Sequence, residues 1–215
     1  MHGSKNEPKG KRIAMTIDTI QVGMLETNCY IISDEERNAA IIDPGAEPGR
    51  IIEFIENRKL DVRVILLTHT HNDHVGALQA MRERFQVPVV ISEPEARFYN
   101  VRADEMEPFQ GRIQGQKFLA IKHGDQIPVG RLTLTALFTP GHTPGGTCYR
   151  NGGVVFTGDT LFQDGVGRTD FPGGNTAQLM ESIRVNLLSL PDHTRIYPGH
   201  GPSSTIGIER DYFGS

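Results

Sequence analysis

The sequence predicts an α/β fold built as a single layered domain, and three observations carry that prediction. Short β-branched runs alternate with segments of helical periodicity along most of the chain. Turn chemistry separates them, with 24 Gly and 13 Pro in all. At 215 residues the chain is long enough to bury one sizeable core.

The elements follow in order. Ile13 to Val22, Cys29 to Ser33 and Ala39 to Ile42 are β-branched runs broken by turns such as Asp43-Pro44-Gly45, which implies an early antiparallel sheet. Pro48 to Asn57 places Ile51, Ile52, Phe54 and Ile55 on one helical face, and Val62 to Thr68 is a buried strand. A helix over Val75 to Phe85 follows from Val75, Leu78, Met81 and Phe85, then a strand over Val87 to Ser92 and a short helix over Glu93 to Asn100. Val101 to Gln116 is polar and irregular and reads as a mobile loop, with Met106, Pro108 and Phe109 either exposed or lining a pocket. Strands return at Phe118 to Ile121, Arg131 to Phe138, Thr147 to Arg150 and Val154 to Thr157. A helix over Thr176 to Leu190 and a last strand at Thr194 to Tyr197 complete the pattern.

Composition narrows the function. A formal net charge of −4 offers no broad basic surface, so nucleic acid is a poor partner, and no apolar run approaches the roughly 20 residues that span a bilayer. Residues 1–14 are polar and carry no apolar stretch, so they read as a flexible N-terminal extension and not as a signal, leaving 15–215 as the folded domain. The two cysteines, Cys29 and Cys148, do not make a disulfide framework, which points to a reduced, cytoplasmic setting.

The chemistry is concentrated in Thr68-His69-Thr70-His71-Asn72-Asp73-His74, directly after the apolar Val64 to Leu67. On a chain leaving a strand, residues two apart point the same way, so His69 and His71 can converge on one point while Asp73 and His74, at a helix start, face a second. That arrangement suggests two metal ions. A lone histidine is more often a hydrogen-bonded bystander, but four clustered ligand types reverse those odds. Three later segments have the same character: Pro140-Gly141-His142-Thr143-Pro144-Gly145-Gly146, Thr157-Gly158-Asp159-Thr160, and Tyr197-Pro198-Gly199-His200-Gly201. Each follows a strand and sets one His or Asp among small residues that let backbone crowd close to a centre. His2, His123 and His193 lie in polar contexts outside these motifs.

Taken together, H-x-H-x-D-H, G-H-T-P-G-G, G-D-T-L-F and P-G-H-G resemble the metallo-β-lactamase fold hydrolases, from about Met15 to the end of the chain. The resemblance implies a four-layer αβ/βα sandwich with a dinuclear site at one edge. It also implies that His69, His71 and His142 hold the first metal, that Asp73, His74 and His200 hold the second, and that Asp159 bridges them. The water between two such cations is acidified enough to act as hydroxide, with Asp73 orienting it or taking its proton. Zn is the first expectation for the two divalent ions, with Fe or Mn as alternatives.

Neither cysteine falls in a ligand motif, unlike the β-lactamases of this fold that place a cysteine on the second metal, and His71 differs from the Glu of the similar diiron flavoproteins. The segment Gly165 to Gly174, with Gly167-Arg168-Thr169-Asp170-Phe171, is similar to the glyoxalase II group, hydroxyacylglutathione hydrolases, in a short single-domain form. That likeness implies cleavage of a small-molecule thioester or glutathione conjugate such as S-lactoylglutathione. Arg168 would meet the substrate carboxylate, or else form a salt bridge within its loop with Asp170. Two alternatives stand beside it. One is a persulfide dioxygenase with a single iron on His69, His142 and Asp159; the other is a non-catalytic binding module on the same scaffold.

Overall fold

A computed structural model of the chain describes residues 14–214. The expectation of a flexible extension over residues 1–14 falls almost entirely outside them. In chain order the strands are β1 Thr16–Val22, β2 Thr27–Ser33, β3 Asn38–Ile42, β4 Asp61–Leu66, β5 Val89–Ser92, β6 Met106–Pro108, β7 Phe118–Ile121 and β8 Gln126–Val129. They continue as β9 Leu132–Phe138, β10 Thr147–Asn151, β11 Val154–Gly158, β12 Leu161–Phe162, β13 Gly165–Val166, β14 Arg195–Pro198 and β15 Ser204–Thr205. The helices are α1 Pro48–Asn57, α2 Asn72–Val75, α3 Leu78–Phe85, α4 Glu93–Phe98, α5 Thr176–Asn186 and α6 Ile206–Gly214.

Two sheets face each other. One is seven-stranded in the order β1-β2-β3-β4-β5-β7-β6, and the other six-stranded in the order β15-β14-β11-β10-β9-β8. The first begins antiparallel, as the early runs predicted, and turns parallel from β3 onward.

Alternation along each strand assigns its side chains to different layers. In β2, Ile31 joins an outer core with Ile51 and Ile55 of α1 and Met81 of α3, while Tyr30 and Ile32 join the core between the sheets. In β10 and β11, Tyr149 and Phe156 face that same inner core, whereas Cys148 and Val155 face Leu179 and Ile183 of α5. Helices, sheet, sheet, helices: the expected four layers are present, held by three apolar cores. Both cysteines are buried and free. Among the described residues no helix is long and apolar enough to cross a membrane.

Several elements depart from the sequence expectation. The helix predicted over Val75 to Phe85 is broken into α2 and α3, because the amide of Ala77 turns aside to donate to the Pro44 carbonyl at 2.9 Å. The supposed loop over 101–116 supplies an edge strand, β6, with Met106 packed on the outer core and Phe109 and Ile113 on the inner one. Periodicity had nothing to register there, since three residues are too few. The short strands β8, β12, β13 and β15 and the terminal helix α6 were likewise absent from the sequence reading.

Candidate metal centre

The chain leaves β4, β9, β11 and β14 at one edge of the sandwich, and the polar motifs follow those four strand ends. His69, His71, Asp73 and His74 come after β4, His142 after β9, Asp159 after β11 and His200 after β14. All seven residues that the sequence singled out as ligands meet there.

They form two trios. The ligand-type atoms of His69, His71 and His142 lie within 4.8 Å of one another, and so do those of Asp73, His74 and His200. The convergence inferred from residue spacing is therefore found in the fold. Asp159 stands between the trios: one oxygen is 3.3 Å from His74 Nε2, and the other is 3.6 Å from both His142 Nε2 and His200 Nε2.

Outer contacts aim the imidazoles. His74 Nδ1 lies 2.9 Å from the Asp43 carboxylate, His142 Nδ1 2.6 Å from the Arg168 carbonyl and His200 Nδ1 3.0 Å from the Leu25 carbonyl. With Nδ1 facing an acceptor, each ring in its neutral form turns the lone pair of Nε2 inward. The donor set fits a cation in a further respect. His69 Nε2 and one Asp159 oxygen are buried with no hydrogen-bond partner among the described residues, an expense that a bound ion would offset. Gly199 keeps the centre open, since a Cβ there would strike the Asp159 carboxylate and the His74 ring.

The charges divide along the same lines. Burial, reinforced by the neighbouring His74, pushes the His69 imidazolium far below its usual range, and burial also lowers His71. Burial would lower His74 as well, but the carboxylates of Asp159 and Asp43 outweigh it and raise His74 well above 6.5. The hydrogen bond to Asp73 raises His200. Burial opposes ionisation of Asp73, yet bonds from His200 and the Thr27 hydroxyl, with the charge of His74, hold its carboxyl at about 2. Asp159 is driven lower still by His74, against its own burial.

Two buried carboxylates that the sequence reading passed over brace the site. Asp43 lies beneath it, accepting the Thr68 amide at 2.8 Å and the Thr68 hydroxyl at 2.5 Å besides holding His74. Its ligand-type oxygen also falls within reach of His69 and His74. Glu95, on α4 and 1 % exposed, accepts the Thr70 amide (2.8 Å), the Thr70 hydroxyl (2.7 Å) and the Gly145 amide (3.0 Å). It thereby ties the residue between His69 and His71 to the loop that carries His142.

Arg168 is exposed and paired within its own loop. Nε and Nη2 meet the two Asp170 oxygens at 2.7 and 2.6 Å, and the guanidinium stacks over Phe171 at 3.9 Å. Of the histidines outside the motifs, His123 accepts the Phe138 amide and His193 lines a cavity of about 660 Å³ beside Arg131 and Arg150, while His2 is outside the described residues.

Four layers with a cluster of histidines and aspartates at one edge define a class of α/β sandwich with a potential metal centre, and residues 22–200 match the model of the metallo-beta-lactamase superfamily. The chain belongs to that superfamily. It is similar to hydroxyacylglutathione hydrolase GloC of Haemophilus influenzae, 41 % identical over 202 residues that cover 91 % of this chain and 95 % of the relative. Three solved structures share the fold closely. The BLEG-1 B3 metallo-beta-lactamase has a TM-score of 0.79 at 33 % identity, covering 91 % of this chain and 97 % of that one. ETHE1 from Myxococcus xanthus has 0.77 at 34 %, covering 92 % and 82 %. TTHA1623, solved in a di-iron-bound form, has 0.75 at 34 %, covering 89 % and 96 %.

Proposed function

We propose that this chain is a metal-dependent hydrolase of small thioesters such as S-lactoylglutathione. The observation that carries the reading is one carboxylate, Asp159, set between two trios of inward-facing donors. The name of the Haemophilus relative supports the substrate class, and the di-iron TTHA1623 supports a pair of ions. His69, His71 and His142 would hold one divalent ion, and Asp73, His74 and His200 the other, with Asp159 shared between them. Zinc is the first expectation and iron or manganese the alternatives, and such ions acidify water and polarise a carbonyl.

The protein's own groups supply the rest. Asp73 is half-buried and ionised at neutral pH, so its carboxylate accepts a hydrogen bond from the attacking water and fixes its direction. From that position it orients the water or takes its proton. The leaving group needs little help. A thiol with a pKa of about 8.5 departs as thiolate, whereas an amide nitrogen must be protonated, which favours thioesters over lactams. Tyr30 is no proton donor here, since its hydroxyl is committed to the Pro198 carbonyl at 2.6 Å. A glutathione carboxylate would reach Arg168 by displacing Asp170. The two buried, free thiols accord with a cytoplasmic setting.

The test is metal analysis together with thiol release. Purified protein should carry about two ions per chain and liberate glutathione from S-lactoylglutathione, and Asp159→Ala should abolish turnover. Oxygen uptake with glutathione persulfide on a single iron, faster hydrolysis of a β-lactam than of any thioester, or bound metal with no turnover would each overturn the proposal.

A further inference from the structure

Three of the strands that end at the metal edge begin together at the opposite edge, around a cavity of about 660 Å³. Arg131 stands just before β9, the Gly152-Gly153 turn just before β11, and Thr194 just before β14, while Arg150 comes in from the end of β10. At about 3.3 Å per residue, the seven residues of β9 set this cavity about 20 Å from the loop that carries His142. It is therefore separate from the metal centre. Its walls are basic, and no carboxylate lines it among the described residues. Elsewhere the arginines are neutralised: Arg58, Arg63, Arg97, Arg168 and Arg184 each hold a carboxylate at 3.0 Å or less. Arg150 instead donates to the Gly152 carbonyl at 3.1 Å, and Arg131 comes no nearer than 3.7 Å to Glu36. Asp192, the acid next in sequence to the cavity wall, is taken up by Arg210.

Thr194 adds a second, independent sign of a ligand. The residue is fully buried and its backbone is committed on both sides, the amide to the Pro191 carbonyl and the carbonyl to the Ile206 amide, each at 2.9 Å. Its hydroxyl has no hydrogen-bond partner among the described residues. A buried hydroxyl left unpaired is costly, and an acceptor entering the cavity would relieve it. The Gly152-Gly153 turn puts no side chain in the way: a Cβ on Gly152 would meet nothing within 4 Å, and one on Gly153 would lie 4.0 Å from the His193 ring. Two guanidiniums, an imidazole and a hydroxyl are donors in search of an anion with several oxygens, and the planar fork of arginine matches phosphate. We infer that this cavity binds a small organic phosphate, with the phosphate group between Arg131, Arg150 and the Thr194 hydroxyl and His193 at the rim. The volume lies within the range of small-molecule sites, about 300–1,000 Å³, and leaves room for the body of an ester beyond its phosphate. The site stands whether or not the metal centre cleaves thioesters.

The experiment is calorimetric titration of the zinc-loaded full chain with AMP, ribose 5-phosphate and inorganic phosphate, with adenosine as the uncharged control. AMP or ribose 5-phosphate should bind at about one per chain and adenosine should not, and the preference between the two esters says whether a nucleoside or a sugar fills the cavity. The double variant Arg131→Gln, Arg150→Gln should weaken binding by about a hundredfold or more, at about tenfold per charged contact, with the zinc content of the parent. Thr194→Val changes no charge and should weaken binding about three- to tenfold while the melting temperature stays that of the parent. Phosphate bound at the metal edge instead would give heat that the double variant keeps, and that result overturns the site. So do adenosine bound as tightly as AMP, inorganic phosphate bound as tightly as both esters, and no binding of any of the three phosphates.

Discussion

Glu95→Gln is the change that most directly tests how the site is braced. The carboxylate is 1 % exposed and accepts from two backbone amides and one hydroxyl. Glutamine has the same shape but only one accepting oxygen. If that oxygen serves Thr70, the new amide nitrogen confronts the Gly145 N–H; if it serves Gly145, the nitrogen confronts the Thr70 N–H. Either way one buried donor is stranded, at about 1–3 kcal/mol, and the surviving bonds lose the strength that a charged acceptor gives them. Removing a buried charge refunds part of this, so the net loss is about 2–3 kcal/mol. At about 2–4 °C per kcal/mol for a domain of this size, the melting temperature should fall by about 4–12 °C. The assay is thermal unfolding followed by circular dichroism on chelator-treated protein, paired with zinc competition against a chromogenic chelator. The bite of His69, His71 and His142 should loosen, with the ion held there bound more weakly by about tenfold. A fall of less than about 2 °C would refute the claim that Glu95 couples the two loops.

Other outcomes follow from the same geometry. Asp43→Asn keeps one accepting oxygen for the Thr68 amide and turns an amide nitrogen towards His74 Nδ1, so metal affinity should drop by about 10- to 100-fold in equilibrium competition while the overall fold persists. In chelator-treated protein the depressed Asp73 carboxyl contributes stability that is complete above its ordinary 3.8 and is lost as pH falls through about 2. Urea unfolding at stepped pH should show that loss between about pH 4 and 2, and Asp73→Asn should remove it. Burial pushes the Cys148 thiol up to about 11 and Cys29 higher still, so at pH 8 neither should react with Ellman's reagent until denaturant is added.

The clustering of His69, His71, Asp73 and His74 was legible in the sequence because its signal is local. His69, His71, Asp73 and His74 lie within six positions, and strand geometry alone says which way they point. Asp43 and Glu95 were not legible. Asp43 looked like turn chemistry before Pro44, and Glu95 looked like an early acidic residue of a short helix, where a helix start already favours it. Their partners, Thr68 and His74 for one and Thr70 and Gly145 for the other, are 25 to 50 positions away, and no periodicity records such a pairing. The two-residue strands failed for the opposite reason, being too short to carry a pattern of their own. Arg168 was legible as a special residue, and its pairing with Asp170, two positions away, was one of the two readings the sequence offered; its stacking on Phe171 depends on how the loop closes.

The start of β2 has a consequence for how the protein comes into being. Asn28 Nδ2 donates to the Pro198 and Gly201 carbonyls, its amide donates to Gly199, and Thr27 donates to Asp73, so the earliest part of the fold clasps nearly the latest. The bond from Asn28 to Pro198 spans 170 positions. A contact that distant forms late, because its loop-closure entropy must be met before it returns anything. On the ribosome, His69, His71 and Asp73 emerge long before His200, and a nascent chain holds only a partial set of these donor residues until His200 has been added. The two trios of donors therefore come together only once the segment through His200 has been made.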